Sequence, residues 1–150
     1  MGIFDKGVGM ELLIGGRAQG KLDVALVKYP EAFVFDEEII QDKRINEFLN
    51  EKDLQDQVLV WNHFHLYVKK SLALGYGPEK IWEEVFSILQ SFPKLIIISD
   101  EIGNGIVPMD RDERRYREET GRILCKLAKE ATEVERIFCG IPQTIYFKKT

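Results

Sequence analysis

The chain has 150 residues, of which 45% are hydrophobic and 11% aromatic, so it is long enough to bury the core of one domain of ordinary size. Its 21 basic and 25 acidic side chains give a formal net charge of −4, which argues against general nucleic-acid binding. The two cysteines, Cys125 and Cys139, form neither a disulfide framework nor a metal-ligand spacing, and their surroundings predict two reduced thiols in the core.

No apolar run approaches the roughly 20 residues that cross a bilayer, and the first residues do not have the layout of a signal peptide. We therefore expect a cytoplasmic protein with no membrane span. Residues 1–9 are interpreted as an N-terminal extension or a remnant of cloning, because Met10 directly opens the first apolar run. Residues 10–150 are expected to form a single domain.

Apolar runs and helical patterns alternate along most of the chain. They predict strands at 12–14, 32–35, 57–61, 94–99, 133–140 and 143–147, and helices at 21–29, 63–74, 79–92 and 114–131. Because the strands are apolar throughout and are separated by helices, the pattern predicts a mostly parallel α/β sheet with flanking helices. The last two strands, joined by a turn at 140–142, predict an antiparallel hairpin at one edge. The charged segment 36–56 predicts a loop with one short amphipathic helix.

The stretch 11–21, ELLIGGRAQGK, fits the phosphate-loop pattern G-x-x-x-x-G-K-[ST] except at its last position, which is Leu22. In such a loop the backbone N–H groups and the helix N-terminus hold phosphates, while the lysine reaches the β and γ oxygens. Since the pattern follows a predicted strand and opens a predicted helix, it predicts a RecA-like phosphate-loop fold that binds ATP or GTP. The expected nucleotide-binding residues are Gly15, Gly16, Arg17, Ala18, Gln19, Gly20, Lys21 and Leu22.

The carboxyl ends of parallel strands meet at one rim of the sheet, which brings further candidates to this loop. Asp100 and Glu101 follow the strand at 94–99 and are candidate catalytic residues with Lys21, with Glu101 also a candidate Mg²⁺ ligand. Asn62 ends the third strand, where phosphate-loop enzymes often place an acidic residue for Mg²⁺. The alternative for Asn62 is to cap the helix that begins at residue 63.

Residues farther along the chain are weaker candidates. Arg114 and Arg117 are expected to contact phosphate bidentately, or else to pair with nearby glutamates on a helix surface. Gly103 and Gly105 predict a loop whose backbone bends sharply or approaches a ligand. His63 and His65 are two residues apart, so on a helix they should diverge and not share a metal.

Two segments, SDEIGNGIVPMDRDERRYREETGR at 99–122 and CGIPQTIYFK at 139–148, resemble the bifunctional adenosylcobinamide kinase/adenosylcobinamide-phosphate guanylyltransferase family. The residues that match its pattern are Glu101, Gly103, Gly105, Pro108, Arg114, Tyr116, Arg117, Glu118 and Gly121. The resemblance implies a phosphate-loop protein of cobalamin biosynthesis. Such enzymes phosphorylate the aminopropanol hydroxyl of the corrinoid adenosylcobinamide and then transfer GMP through a guanylylated histidine. It also implies a homo-oligomer, often a homotrimer.

The chain departs from the family pattern at positions that carry chemistry. Phe48 stands where the guanylylated histidine would follow Arg44 in the R-I-x-x-H pattern, and Leu22 and Asn62 replace the loop serine and the acidic residue. Because phenylalanine cannot form a phosphoramidate, we expect a nucleotide-binding adenosylcobinamide kinase-like protein without the usual covalent guanylyl transfer, unless a later histidine substitutes. The alternatives are a non-catalytic homologue that acts as scaffold or regulator, and an enzyme for another acceptor alcohol.

Overall fold

The computed structural model describes residues 9–40, 43–54, 56–102 and 110–148. The strands are β1 (Gly9–Gly15), β2 (Phe33–Phe35), β3 (Leu59–Trp61), β4 (Lys94–Asp100), β5 (Glu133–Phe138) and β6 (Ile141–Phe147). The helices are α1 (Lys21–Lys28), α2 (Glu37–Ile40), α3 (Ile45–Asn50), α4 (Phe64–Ala73), α5 (Pro78–Ser91) and α6 (Arg111–Glu130). The strands form one sheet in the order β2-β3-β4-β1-β5-β6. All neighbours are parallel except β5 and β6, which confirms the predicted phosphate-loop α/β fold and its edge hairpin.

Hydrophobic side chains cover both faces of the central part of the sheet, as the uniformly apolar strands predict. In β1, Leu12 packs into the larger cluster with residues of α4, α5 and α6, whereas Leu13 packs into the smaller cluster with Ala25 of α1. Ile97 and Ile98 of β4 divide between the two clusters in the same way. The central strands β3, β4 and β1 therefore form a buried layer, whereas β6 is exposed along its whole length. Among the described residues, no helix has both the length and the apolar composition needed to cross a bilayer.

The middle segment is more ordered and more deeply packed than its charge predicts. It forms two short helices, α2 and α3, instead of one. The ring of Phe48 lies 6.3 Å from that of Phe33 and 6.5 Å from that of Phe35, measured between centroids. The apolar residues of the segment that are buried in the larger cluster are Ile40, Ile45, Leu49 and Leu54. A few well-spaced apolar side chains therefore anchor an otherwise charged segment.

The prediction that both cysteines lie in the core is wrong, because both are exposed. Cys125 lies midway between Ile123 and Leu127, whose side chains form the buried stripe of α6, so its own side chain points away from the sheet. Cys139 is not in a strand. It occupies, with Gly140, a tight hairpin turn in which both residues have positive φ, 52° and 74°.

A partly buried ion pair connects the middle segment to the helices of the core. Arg44 Nη2 lies 2.5 Å from Glu84 Oε1 and donates to Ser71 Oγ at 3.0 Å. Tyr67 donates its hydroxyl proton to the same Glu84 oxygen at 2.5 Å, and the guanidinium carbon of Arg44 lies 4.2 Å from the ring centroid of Tyr76. Glu84 is only 8% exposed. These contacts fix the start of α3 against α4 and α5.

We expect the substitution Arg44→Met to lower the free energy of unfolding by about 3 kcal/mol, because the Glu84 carboxylate stays buried without its cation. Urea denaturation of the two proteins measures this difference. The matched control is Lys43→Met, which removes an exposed ion pair with Glu51 and should cost less than about 1 kcal/mol. Equal losses in the two variants would contradict a stabilising role for the Arg44 pair.

Candidate functional site

The phosphate-loop residues connect the carboxyl end of β1 to the N-terminus of α1. A Cβ atom on Gly15 would lie 2.5 Å from the carbonyl oxygen of Ile137 in β5, so only glycine fits there. Ala18 and Gly20 have left-handed backbone conformations, with φ of 58° and 88°. Gly20 is the N-cap of α1, and no side chain caps the helix. The first backbone N–H groups of α1 therefore have no side-chain cap, as at helix N-termini that bind anions.

The side chain of Lys21 is held at the centre of this loop. Its Nζ atom donates to the carbonyl oxygens of Gly16 at 2.6 Å and Gly15 at 3.3 Å. The same atom lies 2.9 Å from Asp100 Oδ1, at the end of β4. Lys21 is only 7% exposed, and an ammonium group buried to that extent needs such partners. The loop and the neighbouring strand therefore position one cation at the rim of the sheet.

A cavity of about 530 Å³ opens over the loop, a volume within the range of small-molecule sites. The loop and α1 contribute residues 17–23 to its lining, and β4 contributes Asp100. Asn62, His63 and His65 also line it. The structure thus brings together the predicted phosphate-loop residues, Asn62 and one of the two predicted acidic candidates.

The prediction that Asn62 caps the following helix is wrong. The N-cap of α4 is His63, whose φ of 54° is left-handed. Asn62 is 7% exposed, and its backbone N–H donates to the carbonyl oxygen of Phe35 at 2.9 Å. Its side chain is consequently part of the cavity wall and not of the helix terminus.

The two histidines both face the cavity, contrary to the expectation that they diverge. Their ring centroids are 5.8 Å apart, because the left-handed residue 63 precedes the helix. His63 Nδ1 lies 3.5 Å from Asp36 Oδ2. In the described parts of the chain, no group of three or more histidine, cysteine, aspartate or glutamate residues is arranged to hold a metal ion.

His65 is buried against Asp100. Its Nδ1 atom accepts a hydrogen bond from the backbone N–H of Asp100 at 3.1 Å, and Nε2 lies 3.4 Å from Asp100 Oδ2. Burial lowers the pKa of His65, and the opposing charge of Asp100 does not compensate for it. The imidazole is therefore neutral at pH 7, and its Nδ1 acceptor role leaves the proton on Nε2, beside the carboxylate.

Glu101 is outside the group of described residues that line the cavity. Its backbone N–H donates to the carbonyl oxygen of Gly15 at 2.8 Å. Its carboxylate accepts two hydrogen bonds from Arg136 of β5, at 2.7 and 3.2 Å. Sequence reasoning missed Arg136, since nothing in the local pattern links a strand residue to a partner 35 positions away.

The predicted phosphate contacts of the α6 arginines stay predictions. Arg114 is exposed, and Arg117 forms an ion pair with Glu113 one turn earlier at 3.3 Å. Both lie on α6, outside the described lining of the cavity. Gly103 and Gly105, for which a ligand-contacting loop was predicted, fall outside the described residues.

The oxygen donors at the cavity fit Mg²⁺ of the kind that nucleotides carry. Such an ion is bound through one or two carboxylates together with phosphates and water. Asp100 supplies a carboxylate and Asn62 an amide oxygen, whereas Leu22 supplies no oxygen. These residues would hold the ion only with the help of the nucleotide phosphates.

A family model described as cobinamide kinase / cobinamide phosphate guanyltransferase matches residues 36–145, well over half of the chain. The match begins after the phosphate loop and includes the charged middle segment. A search of curated proteins gave no match. The matched segment contains Asn62, Asp100 and both cavity histidines. The chain belongs to the cobinamide kinase / cobinamide phosphate guanyltransferase family, which uses nucleotides and cobinamide in cobalamin biosynthesis.

Proposed function

We propose that this protein is a cytoplasmic adenosylcobinamide kinase-like enzyme whose loop 15–22 binds the phosphates of ATP or GTP. The observation that carries the proposal is the position of the Lys21 ammonium group, between two loop carbonyls and Asp100 at the floor of the cavity. Phosphate oxygens are stronger partners for a cation than neutral carbonyls are. The phosphates of a bound nucleotide would therefore replace the loop carbonyls as partners of Lys21, and the terminal phosphate would lie beside Asp100.

In this proposal Asp100 is the catalytic carboxylate, which orients the acceptor hydroxyl through one oxygen and offers the other to Mg²⁺. It lines the cavity, whereas Glu101 is engaged by Arg136. Phosphoryl transfer depends mainly on positioning and charge compensation, which Lys21 and the helix N-terminus provide. Mg²⁺ bound with the nucleotide would neutralise charge on the β- and γ-phosphates, with Asp100 and Asn62 as its protein oxygens. Arg114 and Arg117 are proposed to contact phosphate or a neighbouring subunit.

The packing of Phe48 supports the absence of covalent guanylyl transfer at that position. Its ring belongs to an aromatic group with Phe33 and Phe35, so the residue contributes to the core and offers no nucleophile. The apolar Leu22 in the cavity wall favours a second candidate function, which is nucleotide or corrinoid binding without turnover, as a scaffold or regulator.

The variant Lys21→Ala should bind ATP and GTP about 2 to 3 kcal/mol more weakly than the natural sequence, because it loses a charged hydrogen-bond donor to phosphate. Isothermal titration calorimetry with both nucleotides measures the loss. Lys52→Ala, which removes an exposed lysine outside the cavity lining, is the matched control and should leave the affinities unchanged.

A phosphoryl-transfer assay on adenosylcobinamide with the same proteins separates the two candidate functions. Turnover that depends on Lys21 supports the kinase, and binding without turnover supports the scaffold. If neither nucleotide binds to the natural sequence, the kinase and the nucleotide-binding scaffold are both wrong.

Leu22→Ser restores the hydroxyl group that normally contacts Mg²⁺ in a phosphate loop. We expect it to strengthen nucleotide binding by about 1 kcal/mol in the presence of Mg²⁺ and to leave binding in EDTA unchanged. Leu22→Ala controls for the loss of the apolar side chain. A gain that is the same in Mg²⁺ and in EDTA would show that the metal does not lie beside residue 22.

We further propose that the protein is a homo-oligomer, of the kind that the family resemblance implies, and that its subunits contact each other through the edge hairpin. β6 is the last strand of the sheet, and an exposed apolar edge strand is a typical surface for association. Four large apolar residues of the hairpin are between 55% and 70% exposed, namely Phe138, Ile141, Ile145 and Phe147.

The double substitution Ile141→Lys/Phe147→Lys should convert the oligomer to a monomer, because it places charge in the apolar surface of the hairpin. Sedimentation velocity reports the change in mass. Leu74→Lys, at a residue that is 57% exposed on another surface, is the control. A monomeric natural sequence, or an unchanged mass in the double variant, would contradict this interface.

A further inference from the structure

The turn of the edge hairpin donates two hydrogen bonds to the phosphate loop. It consists of Cys139 and Gly140, and the N–H groups of such a two-residue turn are not used in the ladder between the strands. Here the N–H of Cys139 donates to Gln19 Oε1 at 2.7 Å. The N–H of Gly140 donates to the carbonyl oxygen of Gln19 at 2.8 Å. A single residue of the loop therefore accepts both donors of the turn.

Gln19 lies in the part of the loop that most needs support. Its neighbours Ala18 and Gly20 both have left-handed backbone conformations, with φ of 58° and 88°. This conformation is strained at alanine, because the Cβ atom approaches a carbonyl oxygen. At the start of the loop, the side chain of Lys21 holds the carbonyl oxygens of residues 15 and 16. The hairpin turn supplies the corresponding support at residue 19.

The loop and the turn are also in close backbone contact. A Cβ atom on Gly20 would lie 3.3 Å from the Cα atom of Gly140, which is closer than most side chains allow. Gln19 itself is half-buried and lines the cavity over the loop. Both of its bonds to the turn use oxygen atoms, so they leave the N–H groups of the loop for phosphate. The hairpin can therefore hold the loop without occupying the place of a ligand.

Building on the proposed function, we propose that Gln19 is a positioning residue, whose two hydrogen bonds to the hairpin turn hold the phosphate loop in the conformation that binds phosphate. The side chain acts through the shape of the loop and not by contact with the nucleotide. A loop that already has its bound conformation loses less conformational entropy when a ligand binds. The turn formed by Cys139 and Gly140 is thus part of the nucleotide site, although it belongs to the exposed edge of the sheet.

The test combines amide hydrogen exchange, followed by NMR, with calorimetric titration of the full chain by ATP and GTP. We expect slow exchange at the amides of Cys139 and Gly140, because both are hydrogen-bonded in an otherwise exposed turn. Gln19→Met keeps the length of the side chain but removes its acceptor. It should abolish the protection of Cys139 and weaken the binding of both nucleotides about fivefold.

Two further variants make the comparison specific. Gln143→Met makes the same change on the exposed face of β6 and should leave the affinities and the protection unchanged. Gln19→Glu keeps an acceptor oxygen and should retain the protection of Cys139, whereas a side chain that only fills space would lose it in neither variant.

Equal protection of Cys139 in the natural sequence and in Gln19→Met would overturn the positioning role. An unchanged nucleotide affinity in Gln19→Met would overturn it as well. If the natural sequence binds neither ATP nor GTP, the proposed function is wrong, and the exchange of Cys139 still decides whether Gln19 holds the turn.

Discussion

The burial of the Lys21 ammonium group is the constraint on which the rim of the sheet depends. A cation that is 7% exposed loses most of its hydration, a cost of several kcal/mol that its partners must offset. Two partners come from the loop itself, and the third, Asp100, is the last residue of β4. Asp100 in turn contacts His65 of α4. One charge thus connects β1, β4 and α4 at the place where a phosphate group would bind.

The edge hairpin extends this connected unit. The side-chain oxygen of Gln19 accepts a hydrogen bond from the backbone N–H of Cys139 at 2.7 Å, and its carbonyl oxygen accepts one from Gly140 at 2.8 Å. A Cβ atom on Gly20 would lie 3.3 Å from the Cα atom of Gly140, so the loop and the turn are close neighbours. Under the proposals above, the surface for self-association and the phosphate loop therefore meet at the turn formed by Cys139 and Gly140. Nucleotide binding and assembly are therefore expected to influence each other.

Sequence patterns predicted the features that depend on local order. The run ending at Gly15 and Lys21 has a fixed spacing, and Asp100 follows a strand whose apolar composition is unmistakable, so both were assigned to the rim. Sequence patterns failed where the position of a side chain depends on a single backbone angle or on a partner distant in the sequence. The left-handed φ of His63 brings both histidines to the cavity and removes Asn62 from its expected capping role.

Ion pairs between residues that are distant in the sequence could not be predicted from sequence patterns either. Arg136 pairs with Glu101, 35 positions away, and Arg44 pairs with Glu84, 40 positions away. The Glu135 Oε1 atom has no hydrogen-bond partner among the described residues, and this too results from tertiary packing, since Lys28 is 3.8 Å from it but 2.7 Å from Glu11. These features appear only when the sheet order and the helix positions are known.

A crystal structure of the protein grown with GDP is the most direct measurement of nucleotide binding by this loop. We expect the β-phosphate to lie against the backbone N–H groups of residues 16–21, with Lys21 Nζ moved from the carbonyl oxygen of Gly16 to the phosphate. Electron density for GDP at another surface, with Lys21 still bound to the loop carbonyls, would contradict phosphate binding by the loop.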